Sequence, residues 1–291
     1  MIIERDLRIR IGADARRIAE LALMEDGIRD VTTDACIVPG QFATGSILFK
    51  SGGVLAGTPY ADAVAITCGL DPIVWYEPSG AVIDAGRVAG IVQGDLAAIL
   101  RAERPLLNLL QRAAGIATAT RAYVDAAAGT RAQILHTRKT APGLRLLDVT
   151  SVLAGGGAMH RLDLTSTLMV KDNHWRGLAR SGRTLADALT AAGSRGVGDC
   201  FVEVETPAQL EEACQAGATR LLIDNQSAAT VAEWSRLARA KKPDISIEAT
   251  GGITLANVRS YAEAGADFIS IGALTHSTVA ADVSLEVNMP E

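Results

Sequence analysis

The feature that most limits what this chain can become lies in its second half, where short β-rich runs alternate with amphipathic helical stretches. The runs are QILHT (133–137), LMVK (168–171), FVEVE (201–205), LLIDN (221–225), ISIEAT (245–250) and FISIG (268–272). Between the last four lie PAQLEEACQAG, opening on Pro207, SAATVAEWSRLARA, opening on Ser227, and TLANVRSYAEAG, opening on Thr254. Pro suits a first helical position and Ser or Thr a cap, while the Gly that closes the first and third stretches stops a helix. Strand then helix, repeated at roughly 20–25-residue intervals, predicts parallel βα units, and so an α/β barrel or a doubly wound sheet instead of an antiparallel sandwich.

The first third reads differently. A helix is expected over 14–25, with Ile18, Leu21 and Met24 on one face, followed by short strands that include SILFK (46–50) and IVWYE (73–77). An α+β domain fits that order. Helices over 95–103, 105–114 and 116–128 lead onward, with Pro105 as a start and Gly115 as a stop, so the domains are expected to divide near Gly115. A chain of 291 residues has room for both.

Composition removes several function classes. With 48% hydrophobic and 21% charged residues the chain can bury a core, which excludes disorder. A net charge of −5 excludes a generic nucleic-acid coat, because non-specific phosphate binding draws on an excess of Lys and Arg. Cys36, Cys68, Cys200 and Cys214 are widely spaced with no CxxC pair, and read as buried free thiols of a reducing, cytoplasmic setting. No stretch approaches the roughly 20 apolar residues of a membrane helix, and no export or anchoring signal is expected.

In parallel α/β sheets the loops beyond the C-terminal strand ends form the open mouth where ligands bind. Here those exits carry Arg138 and Lys139, Lys171 and Asp172, Glu203 and Glu205, Asp224 and Asn225, Glu248, and Gly272. One charge at a strand end is ordinarily a solvated boundary, but six polar exits turned to one rim describe a site. Residues 131–176 hold seven Arg or Lys against three acidic residues. Among them Arg138, Lys139, His160, Arg161 and Lys171 stand in the company of Thr, Gly and apolar residues, which points to an anionic small molecule. Downstream, Glu203 and Glu205 are two apart in a strand and share a face, and Asp224 ends the next strand, so three carboxylates converge. Such a cluster suits Mg²⁺ shared with substrate phosphates, or direct hydrogen bonds to a ribose diol. Two glycine loops, Thr250-Gly251-Gly252 and Gly272-Ala273-Leu274-Thr275-His276, offer backbone N–H groups to phosphate.

Taken in order, eight blocks resemble the family of nicotinate-nucleotide pyrophosphorylases, the decarboxylating quinolinate phosphoribosyltransferases. They are ERPLLNLLQRAAGIAT (103–118), TRKTAPGLR (137–145), GGGAMHR (155–161), VKDNH (170–174), VEVE (202–205), LIDN (222–225), EATGGI (248–253) and IGALTHS (271–277). The resemblance implies a type II phosphoribosyltransferase fold, with an N-terminal α/β sandwich over 1–115, completed by the tail 277–291, and an open α/β barrel over 116–276. It implies transfer of phosphoribosyl from phosphoribosyl pyrophosphate (PRPP) to quinolinate with decarboxylation, and Mg²⁺ as cofactor. Thr137, Arg138, Lys139, His160, Arg161 and Lys171 would hold the two quinolinate carboxylates. Arg104 would arrive in trans, within a homodimer or a hexamer built from dimers. Glu205 and Asp224 would bind ribose hydroxyls or Mg²⁺, and Thr250, Gly251, Gly252, Gly272, Ala273 and His276 would receive phosphate. Lys139, Lys171, Glu205 and Asp224 are the catalytic candidates, and no nucleic-acid or membrane partner is implied.

The chain departs from the family pattern at Arg29, His136, Met159 and Thr250, where the family usually has Gly, Asp, Asn and Ser. At Val149 and Leu153 it lacks the family's Lys and Arg, and the surrounding run is similar to the ModD-type proteins found with molybdate transport genes. Two alternatives follow: a ModD-like phosphoribosyltransferase with another acceptor, and an anion-binding barrel without turnover. His136 reads as a strand-end surface residue, His174 as a cap or packing group near Trp175, and Met159 as packing.

Overall fold

A computed structural model describes residues 2–289; Met1, Pro290 and Glu291, at the outer ends of the expected sandwich segments, lie outside the described residues. The chain runs through α1 (Ile2–Glu25), α2 (Val31–Cys36), β1 (Phe42–Phe49), β2 (Gly53–Val54), α3 (Thr58–Thr67), β3 (Val74–Trp75), β4 (Val82–Ile83), β5 (Arg87–Asp95) and α4 (Leu96–Ala126). It continues through β6 (Gln133–Leu135), α5 (Arg145–Ala154), β7 (Leu168–Val170), α6 (Asp172–Arg180), α7 (Leu185–Gly193), β8 (Cys200–Val204) and α8 (Pro207–Ala216). It closes with β9 (Arg220–Asp224), α9 (Ala228–Lys241), β10 (Ser246–Thr250), α10 (Val258–Glu263), β11 (Phe268–Ser270), α11 (Ala273–His276) and β12 (Val283–Asn288). Two compact units result: one takes the chain up to Arg121, Lys139–Gly156 and the segment from Ala273, the other Ala122–Arg138 and Gly157–Gly272.

In the first unit β12, β1, β5 and β3 form an antiparallel sheet in that order. Burial alternates along β1, the period of a sheet with one covered face, and places Ala43, Ile47 and Phe49 in the core. Ala15, Ile18, Ala19 and Leu23 of α1 join that core, with α1 packed on α3. The C-terminal tail completes the sheet, since β12 pairs with β1 and sets Val283 opposite Phe49. The first helix is longer than 14–25: no Pro interrupts residues 2–13, and helix formation extends back to Ile2.

Residues 95–128 hold one helix where three were expected. Pro105 lies inside α4, and Gly115 does not stop it. A Cβ on Gly115 would overlap the carbonyl oxygen of Val279, so this glycine admits a crossing backbone instead of ending a helix.

The second unit is a six-stranded parallel sheet in the order β6, β11, β10, β9, β8, β7. Its end strands β6 and β7 have no mutual pairing among the described residues, so the barrel is open. Every residue of β8 is buried, as in a parallel strand covered on both faces. Local chemistry sets the helix ends. The Thr206 hydroxyl accepts the Gln209 N–H and the Gln209 side chain reaches back, Pro207 opens α8, and Gly217 closes it at φ 95°. Ser227 caps α9 through the Thr230 N–H. The third helix is shorter than its stretch, because Asn257 spends its side chain on the Thr254 N–H and the Gly252 carbonyl, holding 254–257 as a turn.

Candidate active site at the barrel mouth

Alternate residues of the barrel strands face its interior. Met169, Phe201 and Leu222 form a small apolar cluster there. The guanidinium of Arg220 is sandwiched between the rings of Phe201 and Phe268, 4.2 and 3.7 Å from their centroids. Its Nη1 donates to Glu248 Oε2 at 3.0 Å. Glu248, expected at the rim, is 1% exposed, because two residues before the end of β10 the strand's alternation turns it inward. Burial pushes its carboxyl up, but the hydrogen bond and charge from His160, the Ser270 hydroxyl and Arg220 outweigh burial and hold it below the usual glutamate value.

His160 Nε2 lies 3.4 Å from Glu248 Oε1, and its Nδ1 accepts the Arg161 N–H at 2.7 Å. Nδ1 thus faces the Arg161 backbone and Nε2 faces Glu248. The His160 N–H donates to His136 Nε2 at 2.9 Å. His136 is therefore not a surface residue: it is 1% exposed and satisfies a backbone donor. Met159, expected to pack, is 41% exposed. His174 does cap, accepting the Lys171 N–H at 3.0 Å on Nδ1.

At the strand exits Lys171 Nζ donates to Glu203 Oε2 at 2.8 Å, and the Trp175 indole donates to the Glu203 carbonyl at 2.9 Å. Glu205 is exposed just past β8. Burial pushes the Asp224 carboxyl up, like charge on Glu203 and Glu205 adds to this, and Lys171 and the Asn225 amide oppose it. The three carboxylates thus converge as expected, with Glu203 committed to Lys171. No group of three or more His, Cys, Asp or Glu among the described residues forms a metal cage. Glu205 and Asp224 instead make the two-carboxylate set that suits a hard cation sharing water and substrate oxygens.

Arg161 is half-buried; burial lowers its basicity and the like charge of Arg138 lowers it further, against Asp163 and Glu248. Thr137 lies half-buried beside the exposed Arg138. Thr250 closes β10, and Gly251 and Gly252 follow with φ of 83° and 63°, left-handed backbone that glycine adopts freely. Gly272 follows β11 within the same unit.

Lys139, Ala273, His276 and Arg104 belong to the first unit. There Arg112 forks onto the buried Asp148 with two 2.7 Å hydrogen bonds and donates to the Thr275 carbonyl at 3.0 Å. The Thr275 hydroxyl donates to the Lys139 carbonyl at 2.8 Å, and the Ala141 N–H donates to Asp148 at 3.1 Å. This network anchors the Lys139 segment to α11. Neither it nor Arg220 stood out in the sequence; the available signal was charge at inward positions of apolar elements, which demands a partner. Arg104 is exposed on α4, 3.8 Å from Glu103. Val149 is buried and Leu153 half-buried in α5, so both are packing residues. All four cysteines are free, Cys200 and Cys214 buried, Cys68 half-buried and, against expectation, Cys36 exposed. No helix among the described residues is long and apolar enough to cross a membrane.

Family models match both parts of the chain: the N-terminal domain of quinolinate phosphoribosyl transferase over residues 30–114 and its C-terminal domain over 116–286. The nicotinate-nucleotide pyrophosphorylase (carboxylating) of Mycobacterium leprae is 38% identical over 282 residues, covering 94% of this chain and 97% of its own. The Homo sapiens protein of the same name is 38% identical over 259 residues, covering 87% and 85%. Among solved structures, the nicotinate-nucleotide pyrophosphorylase from Francisella tularensis superimposes with a TM-score of 0.87 at 29% identity, covering 95% of this chain and 97% of its own.

Proposed function

Because the chain belongs to the quinolinate phosphoribosyl transferase family, we propose that it joins PRPP to quinolinate and releases diphosphate and CO₂, leaving nicotinate mononucleotide. It is an enzyme of NAD biosynthesis acting on small molecules. The feature that carries the acceptor assignment is the gathering of cationic Arg138, Arg161 and Lys171 around the strand exits, where burial first and the like charge of Arg138 second disfavour the half-buried Arg161 cation. A dicarboxylate relieves that repulsion and accepts from both planar forks. We assign the quinolinate carboxylates to Arg138, Arg161 and Lys171, with Thr137 and Lys139 beside them and Arg104 of the partner subunit in a homodimer. His160, tied to Glu248 and accepting the Arg161 N–H, joins this set as the residue that seats Arg161.

The pyridine nitrogen already carries its lone pair, so no general base is assigned; the cationic groups orient it toward the ribose anomeric carbon. As the N–C bond forms and the C–O bond to diphosphate breaks, positive charge spreads over the ribose, and Glu205 and Asp224 accept from its hydroxyls and oppose that charge. When held by these carboxylates, Mg²⁺ supplies charge neutralisation at the leaving diphosphate. Thr250, Gly251, Gly252, Gly272, Ala273 and His276 take the phosphates. In the second half the carbon–carboxylate bond breaks and CO₂ leaves, the electron pair is stabilised by the adjacent pyridinium, and the carbon takes up a proton from water, with Lys139 and Lys171 the candidates to offset the developing negative charge. A different acceptor gains no support from Val149, whose side chain packs in α5 while Arg138 and Arg161 remain. Four free cysteines fit a cytoplasmic location.

The test is a Mg²⁺-dependent assay with PRPP and quinolinate that scores CO₂ and nicotinate mononucleotide together. Wild-type turnover lost in Arg138→Ala supports the reading. No turnover with PRPP still bound redirects the search to ModD-like acceptors.

A further inference from the structure

We infer that Asn225 is a positioning residue of this site: its side chain latches the Asp224 carboxylate to the Thr250-Gly251 loop, setting the ribose end of PRPP against its phosphate end. The inference rests on the function proposed above. Among the described residues Asn225 is the one non-glycine with positive φ, at 54°. Asn tolerates the left-handed region better than other residues with a Cβ, but glycine adopts it more freely still, so a side chain kept at this strand exit invites a role for its amide.

The surrounding contacts supply that role. The Asn225 N–H donates to the Thr250 carbonyl at 2.9 Å, carrying the pairing of β9 and β10 one residue past Asp224. The left-handed turn then swings the side chain back, and Nδ2 donates to Asp224 Oδ2 at 2.7 Å. A carboxylate only accepts, so the amide nitrogen faces it and the amide oxygen faces the other way. On that other side lies Gly251, where an added Cβ would overlap Asn225 Oδ1 and stand 3.0 Å from its backbone nitrogen. Gly251 is thus glycine both for its φ of 83° and for the amide packed on it. Glu203 and Glu205 press like charge on Asp224, and the amide donor is the neutral group that steadies it.

The test uses the full chain with Asn225→Gly and Asn225→Asp. Glycine removes the latch and also relieves the backbone; aspartate keeps the shape but sets a second carboxylate against Asp224. We expect Asn225→Gly to melt no lower than wild type, yet to raise KM and Kd for PRPP about tenfold, the worth of one hydrogen bond to a charged group, with KM for quinolinate within about twofold. Asn225→Asp is expected to weaken PRPP at least as much. Wild-type PRPP affinity in the glycine variant, or equal losses for both substrates, overturns the inference. Calorimetric binding of PRPP without acceptor separates it from the acceptor assignment: a wild type that binds PRPP but ignores quinolinate sinks the latter alone, while one that binds no PRPP sinks both.

Discussion

Glu248 decides much of what the barrel interior does. It accepts from Arg220, Ser270 and His160, and through His160 it reaches the backbone of Arg161. Removing its charge leaves Arg220 buried between two phenyl rings without a counter-ion, which costs about 3 kcal/mol or more. Its carboxyl sits below the ordinary value of 4.5 when folded, so on acidification the unfolded chain takes up this proton first. The stability it contributes is present above that ordinary value and is lost as pH falls through the folded one. Glu248→Gln should therefore be less stable than wild type at pH 7, with the gap narrowing in acid. Denaturant melts at both pH values check this, and a gap that widens in acid contradicts it. His136 shows how far one residue can be read locally: its place just past β6 was plain, but the backbone donor it serves, the His160 N–H, arrives from a segment 24 residues later.

At the scale of elements, helix ends were legible where the signal is local, as at Pro207, Gly217 and Ser227. Gly115 was misleading because its cause is remote. Alanine in a helix interior ordinarily stabilises by about 0.5–1 kcal/mol over glycine. In Gly115→Ala the new methyl meets the Val279 carbonyl, backbone that cannot rotate away, and overpacking of that kind costs about 1–3 kcal/mol. The melting temperature should fall; a rise would mean that 279–280 yields freely. The same logic explains why α4 passes Pro105, since Leu106, Leu107, Leu109 and Leu110 are buried beside it and keep the helix seated.

At the scale of the molecule, the exposed Arg104 on α4 and the assignment of its charge to a partner's acceptor site have a stoichiometric consequence. Arg104→Ala and Lys171→Ala should each be inactive alone. Co-expressed, half of the randomly assorted dimers carry one intact site of two, so activity should return to about a quarter of wild type. No recovery in the mixture places Arg104 in its own subunit's site. The β/α alternation, the helix caps and the polar strand exits were determined by the sequence alone, because each depends on residues within one turn or one strand of each other. Pairing across the barrel was decided only by the tertiary structure. Strand alternation tells that Glu248 and Thr250 share a face, but strand order, with β6 seated beside β11, decides that Arg220, Ser270 and His160 meet Glu248. A buried charge is settled by its nearest partners in space, and those lie tens of residues away in the chain.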